Sequence, residues 1–109
     1  MNQDPYDFRM ENIRVLNTYY GVDKVTQKGT VLYRARIHIR SYYVIGFFPS
    51  ALEAAIAYNR AIDVLSKNGI QKNYTMNYID EVSAPAYAGI YNDIKIPENI
   101  LNIRNTNKP

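Results

Sequence analysis

A chain of 109 residues with no cysteine, 47% hydrophobic and 21% charged, suits one small globular domain and excludes disulfides and thiolate metal sites. No apolar run approaches the ~18 residues that span a bilayer, and the polar, acidic residues 1–7 do not resemble a signal peptide. The net charge of +3 is uneven: residues 13–80 carry nine Lys or Arg against four Asp or Glu, and residues 24–52 contain no acid. Such a basic field favours an anionic partner.

The first part of the chain is predicted to be an arm followed by a strand. Residues 1–12 indicate a loose arm, since Asp4-Pro5 favours a turn and the apolar cluster there is small. In residues 13–25 the β-branched and aromatic content favours a strand. Lys28-Gly29-Thr30 then predicts a turn, because glycine adopts positive φ at little cost.

The clearest pattern is the strict alternation that follows, at about residues 31–40, which predicts a half-buried strand. One side of this strand is apolar and consists of Tyr33, Ala35, Ile37 and Ile39. The other side carries three arginines and the only histidine, which are Arg34, Arg36, His38 and Arg40. Arginines two apart on a strand lie roughly 7 Å apart, close to the phosphate spacing of one nucleic-acid strand. Solvent-facing strands are often charged without such a partner, but here the sign is not mixed.

A third apolar run, residues 42–48, predicts another strand. Its link to the preceding strand through Ser41 is very short and contains no glycine or asparagine. We therefore expect a tight hairpin, while its register stays open.

The period then changes to that of a helix. Ser50 and Glu53 form a capping box, which predicts a helix from Ala51 to Ser66 or Lys67 with Asn68-Gly69 as its C-terminal stop. Its predicted buried face is Ala51, Ala54, Ala55, Tyr58, Ala61, Ile62 and Leu65. The small alanine side chains indicate a helix that lies close against a sheet.

The remainder of the chain gives weaker patterns. Residues 70–80 predict a covering strand or loop with Met76 and Tyr78 in the core. Residues 81–109 form a C-terminal extension in which Pro97 suits the first turn of a short helix, at about 97–104. Whether this extension packs back on the domain or stays mobile is left open by the sequence.

The sequence offers few residue combinations that could form an active site, so we predict no enzyme, no metal site and no cofactor. One histidine and no cysteine exclude Cys–His and multi-histidine sites. A Ser-His-Asp set would have to use His38, which lies in mid-strand among arginines. The glycines are isolated, so there is no phosphate-cradling loop.

The residues suit a binding surface better than an active site, because three strands backed by one helix leave the front of the sheet uncovered. Arginine pairs with phosphate or with guanine edges in the major groove, which admits a β-ribbon. Tyr20 and Tyr42 could share this face, while Tyr33 and Tyr58 are predicted to be core residues. A surface rich in tyrosine and arginine is equally typical of protein interfaces.

The order of five segments resembles a known family. They are Tyr19-Tyr20-Gly21-Val22, Tyr33-Arg34-Ala35-Arg36-Ile37, Ile45-Gly46-Phe47-Phe48, the helix at 50–61 and Asn77-Tyr78. In order and near-spacing they are similar to the Apetala-two/ethylene-response-factor DNA-binding domain, which shows a YxGV strand, an aromatic-x-A-x-I strand, an LGxF strand, an EAAxAYDxA helix and a closing NF. The resemblance covers about residues 19–79.

This resemblance implies a three-stranded antiparallel sheet that is backed by one helix and lies in the DNA major groove. The contact positions that it implies are Tyr20, Asp23, Val25, Arg36, His38, Tyr42 and Val44. Plant members carry arginines on the first strand and arginine and tryptophan on the third, so their target sequence does not transfer to this chain. Similar domains occur in bacterial and phage proteins beside nucleases or in tyrosine recombinases.

We therefore predict an α+β fold, with a three-stranded antiparallel sheet packed on one α-helix at 13–80 and short N- and C-terminal extensions. The predicted function is specific or semi-specific binding of double-stranded DNA by a small transcriptional regulator or a phage or mobile-element accessory factor, in the cytoplasm or wherever the DNA is. The predicted DNA contacts are Arg34, Arg36, His38, Arg40, Tyr20, Tyr42, Val44, Lys24 and Lys28. Arg36 is the predicted base-edge contact, and Lys24 and Lys28 are predicted to contact flanking phosphates. The alternative is a protein-binding module that uses the same face, with Tyr20, Tyr42 and Val44, to inhibit or sequester a regulator.

Overall fold

Residues 19–104, which a computed structural model of the protein describes, form three strands followed by three helices. The elements are β1 (Val22–Gln27), β2 (Thr30–His38), β3 (Tyr42–Phe48), α1 (Ala51–Lys67), α2 (Ala84–Asp93) and α3 (Glu98–Leu101). The strands form one antiparallel sheet in the order β1-β2-β3, and α1 packs on one side of it. The predicted α+β fold is thereby confirmed. The predicted arm at 1–12 and residues 13–18 of the predicted first strand lie outside the described residues.

Both connections within the sheet are tight turns. Lys28 and Gly29 join β1 to β2, and their positive φ values of 52° and 81° suit the twist of a two-residue hairpin. Residues 39–41 join β2 to β3, and the Ile39 amide donates to the Ser41 carbonyl at 2.9 Å. Because the chain turns here, β2 ends at His38, and Arg40 lies in the turn instead of extending the predicted strand.

The central strand β2 separates its two faces as the alternation predicts. Ala35 and Ile37 are buried in the core that α1 covers, and Tyr33 packs half-buried at the edge of the same core. Ile39, in the turn, is buried with them. The arginine side of the strand faces away from this core.

β3 contains a β-bulge that its sequence does not predict. Arg34 pairs with Phe47 and Arg36 pairs with Val44, so β3 has one residue more than β2 between these pairs. The surplus residue follows Val44 and is Ile45, which is buried. The bulge therefore brings Val44 and Phe47 to the same surface of the sheet although they are three residues apart.

Helix α1 begins and ends where its capping residues predict. The Ser50 hydroxyl accepts a hydrogen bond from the Glu53 amide at 3.2 Å, and the helix ends at Lys67, before Asn68 and Gly69. The predicted face of α1 is buried or half-buried throughout. None of the helices in residues 19–104 is both long enough and apolar enough to cross a membrane.

The C-terminal extension covers a second side of α1. Ile94, Ile96 and Ile100 are buried in the same core as the sheet, and the side-chain Nδ2 of Asn68 donates to the Leu101 carbonyl at 2.9 Å. Three further α1 residues, Ile56, Ala57 and Asn59, are also buried, and the Asn59 side chain donates to the Tyr87 hydroxyl of the extension at 3.0 Å. The described part of the extension therefore packs back on the domain.

Both helices of the extension differ from expectation. α3 covers only Glu98–Leu101, and Pro97 precedes it as the N-cap. α2 is not predicted by the sequence analysis, and none of its residues is fully buried. Tyr87, Ile90 and Tyr91 nevertheless lie at helical spacing and pack half-buried against the core. The Ser83 hydroxyl caps α2 by accepting from the Ala86 amide at 3.3 Å, and Pro85 lies in the first turn.

Residues 70–80 cross the molecule without forming a helix or strand. The prediction that Met76 and Tyr78 are core residues is wrong, because both side chains are exposed, Tyr78 to 82%. Asn77, between them, is the residue that points inward and is buried. In an extended segment the neighbours of a buried residue turn toward solvent.

Candidate functional site

The surface of the sheet that faces away from α1, here called the sheet face, is set by the strand register. Its side chains are Asp23, Val25, Leu32, Arg34, Arg36, His38, Tyr42, Val44 and Phe47. The cross-strand pairs are Asp23 with Arg34, Val25 with Leu32, Arg34 with Phe47, Arg36 with Val44 and His38 with Tyr42. The sheet face therefore has an aromatic and basic end around Tyr42 and an apolar end around Phe47.

The basic end of the sheet face is organised around the Tyr42 ring. The Arg36 guanidinium lies 4.5 Å from the ring centroid, a cation–π distance. The His38 ring meets Tyr42 edge-on, with centroids 4.9 Å apart and planes at 75°. Tyr42 nevertheless keeps 62% of its surface exposed. This cation–π contact orients the Arg36 guanidinium without neutralising its positive charge.

Arg34, at the centre of the sheet face, is neutralised by Asp23 on the neighbouring strand. Its Nε donates to one carboxylate oxygen at 3.2 Å and its Nη2 to the other at 2.5 Å. The hydrogen bond from Arg34 holds the pKa of the Asp23 carboxyl below its ordinary value. The resemblance places Asp23 at a contact position, and the pairing shows why an acid is tolerated there.

A groove of about 450 Å³, here called the tyrosine groove, opens beside the basic end. It is lined by Tyr20, Gly21, Val22, Asp23, Arg36, His38, Tyr42, Tyr58, Lys72, Asn73 and Tyr74. Lys72 Nζ donates to the Ile39 carbonyl at 2.9 Å, and the Tyr74 hydroxyl donates to the His38 carbonyl at 2.7 Å. Burial raises the pKa of the Tyr58 and Tyr74 hydroxyls above the ordinary value for tyrosine.

The Asn77 side chain anchors the backbone of Tyr20, which lies beside the groove, to the interior of the protein. The Tyr20 amide donates to Asn77 Oδ1 at 2.6 Å, and Asn77 Nδ2 donates to the Tyr20 carbonyl at 3.1 Å. The backbone of Asn77 is held in turn by the Asn59 side chain, through hydrogen bonds of 2.7 and 3.0 Å. These bonds tie the start of β1, α1 and residues 70–80 into one support for the groove.

The Gly21 backbone passes very close to the Tyr58 ring. Its φ is +75°, and a Cβ at this position would overlap the Tyr58 ring. Its carbonyl accepts a hydrogen bond from the Arg36 amide at 2.9 Å. A glycine here therefore lets the chain pass over Tyr58 and fixes the backbone of Arg36.

The structure brings together only part of the predicted DNA-contact set. Arg36, His38, Tyr20 and Tyr42 all line the tyrosine groove, and Val44 and Arg34 lie on the sheet face, Val44 opposite Arg36.

The remaining predicted contacts lie elsewhere. Arg40 is in the β2–β3 turn beside Arg104, where both line a small separate cavity. Lys24 pairs with Tyr33, so its side chain leaves the sheet on the opposite surface. Lys28 lies in the β1–β2 turn.

Sequence reasoning missed Lys72, Asn73 and Tyr74 on the groove and Phe47 on the sheet face. Lys72 belongs to the basic span 13–80, and that charge count was the one available signal. Phe47 could not be assigned to the sheet face from alternation, because the bulge in β3 reverses its side.

Comparison of the chain with protein-family models, with curated proteins and with solved structures gives no significant match. Within residues 19–104, no three His, Asp or Glu side chains come together as metal ligands would. The sheet face, the tyrosine groove and the sequence resemblance are therefore the features of this chain that bear on its function.

Proposed function

We propose that the protein binds double-stranded DNA by laying the sheet face into the major groove. This proposal depends most on the state of Arg36. Its guanidinium is oriented by the Tyr42 ring and forms no ion pair with a carboxylate of residues 19–104. An oriented guanidinium on an open sheet suits bidentate pairing with a guanine edge. His38 and Tyr42 flank it and would contact the neighbouring backbone.

The shape of the sheet supports the same proposal. The major groove is about 12 Å wide and admits a two-stranded ribbon, and strands lie about 4.8 Å apart. β2 and β3, which carry Arg36 and Tyr42, would enter the groove, and the β1–β2 turn would lie near the phosphates with Lys28. The resemblance of residues 19–79 to the Apetala-two/ethylene-response-factor domain favours this docking mode. A small transcriptional regulator or a phage or mobile-element accessory factor is the role that we infer.

The test is fluorescence-anisotropy binding to a random-sequence duplex at several salt concentrations. Arg36→Ala should weaken binding by about 1–3 kcal/mol or lower the salt slope by about one unit. Lys67→Ala is the matched control, since Lys67 is an exposed cation in the last turn of α1. Absence of any binding at low salt, or equal losses in the two variants, would refute the proposal.

A second candidate function is protein binding through the apolar end of the sheet face. Val44 and Phe47 are both exposed large apolar side chains on one surface, next to the neutral pair of Asp23 and Arg34. Such patches mark interaction sites. In this function the sheet would inhibit or sequester a regulatory protein.

Salt dependence and a second variant discriminate between the two functions. Phosphate contacts release counterions, so DNA binding weakens steeply with salt, whereas an apolar interface responds little. Phe47→Ser should leave most DNA affinity in place if Arg36 carries the contact. A partner captured by the wild-type chain at high salt and lost with Phe47→Ser would favour the protein-binding function.

A further inference from the structure

The tyrosine groove combines exposed aromatic rings with cations in one recess, and the sheet face proposed for duplex binding makes use of only one wall of it. We propose that this groove binds an unpaired nucleotide, with its base stacked on the tyrosines at the mouth and its phosphate on Arg36 and Lys72. The inference rests on the proposed function in one respect, that the partner is a nucleic acid, and it names the form of nucleic acid that the groove takes.

The size and the openness of the recess fit such a ligand. Its volume of about 450 Å³ lies within the range of about 300–1,000 Å³ that is usual for small-ligand sites. A paired base presents only its edges in the grooves of a duplex, because its faces are stacked. A recess walled by tyrosine rings offers surfaces for a base whose faces are free, as in a single strand, at a strand end or in an extruded nucleotide.

The stacking surfaces are the rings of Tyr20 and Tyr42. Both line the groove, and they keep 59% and 62% of their surface exposed. Stacking on aromatic side chains tolerates any base, since every base has a π-face. The ligand class is therefore a nucleotide of any base, and selectivity among bases is not expected from these rings.

The charge in the groove is complementary to a phosphate. Lys72 is set in place by the Ile39 carbonyl, which holds the ammonium group without cancelling its charge. Arg36 is set in place by the Tyr42 ring in the same way. Among the described residues, the carboxylate in the lining is that of Asp23, and Arg34 already neutralises it. The recess thus carries two positioned cations with no carboxylate of the described residues left to oppose a phosphate.

The experiment measures binding of fluorescein-labelled oligothymidine to the full chain at low salt, in parallel with a blunt-ended duplex. Thymidine 5′-monophosphate, thymidine and inorganic phosphate are the competitors. The variants are Tyr20→Ala and Lys72→Gln, and circular dichroism checks that each is folded. Tyr78→Ala is the matched control, because Tyr78 is an exposed tyrosine that does not line the groove.

The expected result is that oligothymidine binds, that the monophosphate competes better than thymidine or phosphate, and that Tyr20→Ala weakens binding about fivefold or more. Lys72→Gln should weaken binding of the monophosphate more than that of thymidine. Tyr78→Ala should bind like the wild type. A loss of the same size in Tyr78→Ala, or competition by inorganic phosphate as strong as by the monophosphate, would overturn the nucleotide assignment.

The parallel duplex measurement separates this inference from the proposed function. Binding of duplex without oligothymidine overturns the groove assignment and leaves the proposed function standing. Binding of oligothymidine without duplex supports the groove assignment and overturns major-groove docking. Binding of neither probe overturns both.

Discussion

Asp23 and Arg34 stand directly opposite each other on β1 and β2, and two hydrogen bonds of 3.2 and 2.5 Å join the guanidinium to the two carboxylate oxygens. Arg34 therefore does not belong to a continuous row of free arginines. The positive field of the sheet face is displaced toward Arg36 and Lys72, beside the tyrosine groove.

Replacing Asp23 with Asn should increase the affinity for duplex DNA, because it removes a negative charge and releases Arg34 toward phosphate. One additional phosphate contact steepens the salt slope by about 0.9. The loss of a partly exposed ion pair should cost under about 1 kcal/mol of stability. Fluorescence anisotropy at several salt concentrations measures the slope. Asp93→Asn, which makes the same charge change at an exposed site outside the sheet face, is the control; an equal gain there would show that net charge alone is responsible.

Gly21→Ala should destabilise the protein more than Gly29→Ala. Both glycines have positive φ, at +75° and +81°, so each alanine has the cost of a left-handed backbone, about 1–2 kcal/mol. A Cβ on Gly29 meets nothing within 4 Å, whereas a Cβ on Gly21 overlaps the Tyr58 ring. The Gly21 variant should therefore lose about 2–5 kcal/mol in total. Urea unfolding followed by circular dichroism compares the two, and equal losses would contradict the close approach of Gly21 to Tyr58.

Asn77→Ala should lower the free energy of unfolding by about 2–4 kcal/mol. Its buried side chain accepts from the Tyr20 amide and donates to the Tyr20 carbonyl, and truncation leaves these backbone groups without their partner. The neighbouring variant Tyr78→Ala removes a larger but exposed side chain and should change stability by less than about 0.5 kcal/mol. Chemical denaturation of both variants tests the contrast. A similar small effect in both would mean that Asn77 does not anchor the groove.

The features that the sequence predicts well depend on local period. The alternation of β2 identifies Ala35 and Ile37 as core and Arg34 and Arg36 as the opposite side, since a strand admits only two faces. The ends of α1 follow from Ser50 and from Asn68-Gly69, because capping chemistry is local to the chain.

The features that the sequence does not predict depend on pairing across the fold. The bulge at Ile45 decides that Val44 and Phe47 share a surface, and it exists only in the register with β2. The neutralisation of Arg34 by Asp23 is likewise a matter of register. Lys72 reaches the groove because residues 70–80 are pinned by Asn77, a contact between residues far apart in the chain.

The pH dependence of Tyr91 tests how the extension docks on α1. Burial, followed by the hydrogen bond to the Asp63 carboxylate, raises the pKa of Tyr91 from 10.0 to about 12. Because the folded pKa lies above the unfolded value, the contribution of this hydroxyl to stability is complete below about pH 10 and is lost as pH rises toward 12.

Asp63→Asn should lower the pKa of Tyr91 while burial keeps it above 10.0. Titration of ¹³C-labelled tyrosine by NMR, with Tyr91→Phe for assignment, gives the value. Tyr19, whose pKa is raised to about 12 by burial and by Glu81, is the internal reference and should not move. An unchanged Tyr91 would show that the carboxylate does not face its hydroxyl.

The C-terminal extension contributes Ile100 to the core. Ile100 has no exposed surface and packs in the cluster that also contains Ile37 and Leu65, so Ile100→Ala removes buried methyl groups and leaves a cavity. The expected loss of unfolding free energy is about 2–5 kcal/mol. The adjacent Leu101→Ala is the matched control, because that side chain is 39% exposed and its carbonyl, which accepts from Asn68, is retained. Thermal melting measures the loss of stability in both variants. A large loss for Ile100→Ala with a small one for Leu101→Ala would mean that the sheet and α1 need the extension to complete their core. A chain truncated at Glu81 should then be much less stable. Equal small losses would mean instead that the sheet and α1 form a self-sufficient unit and that Ile100 only rests against it.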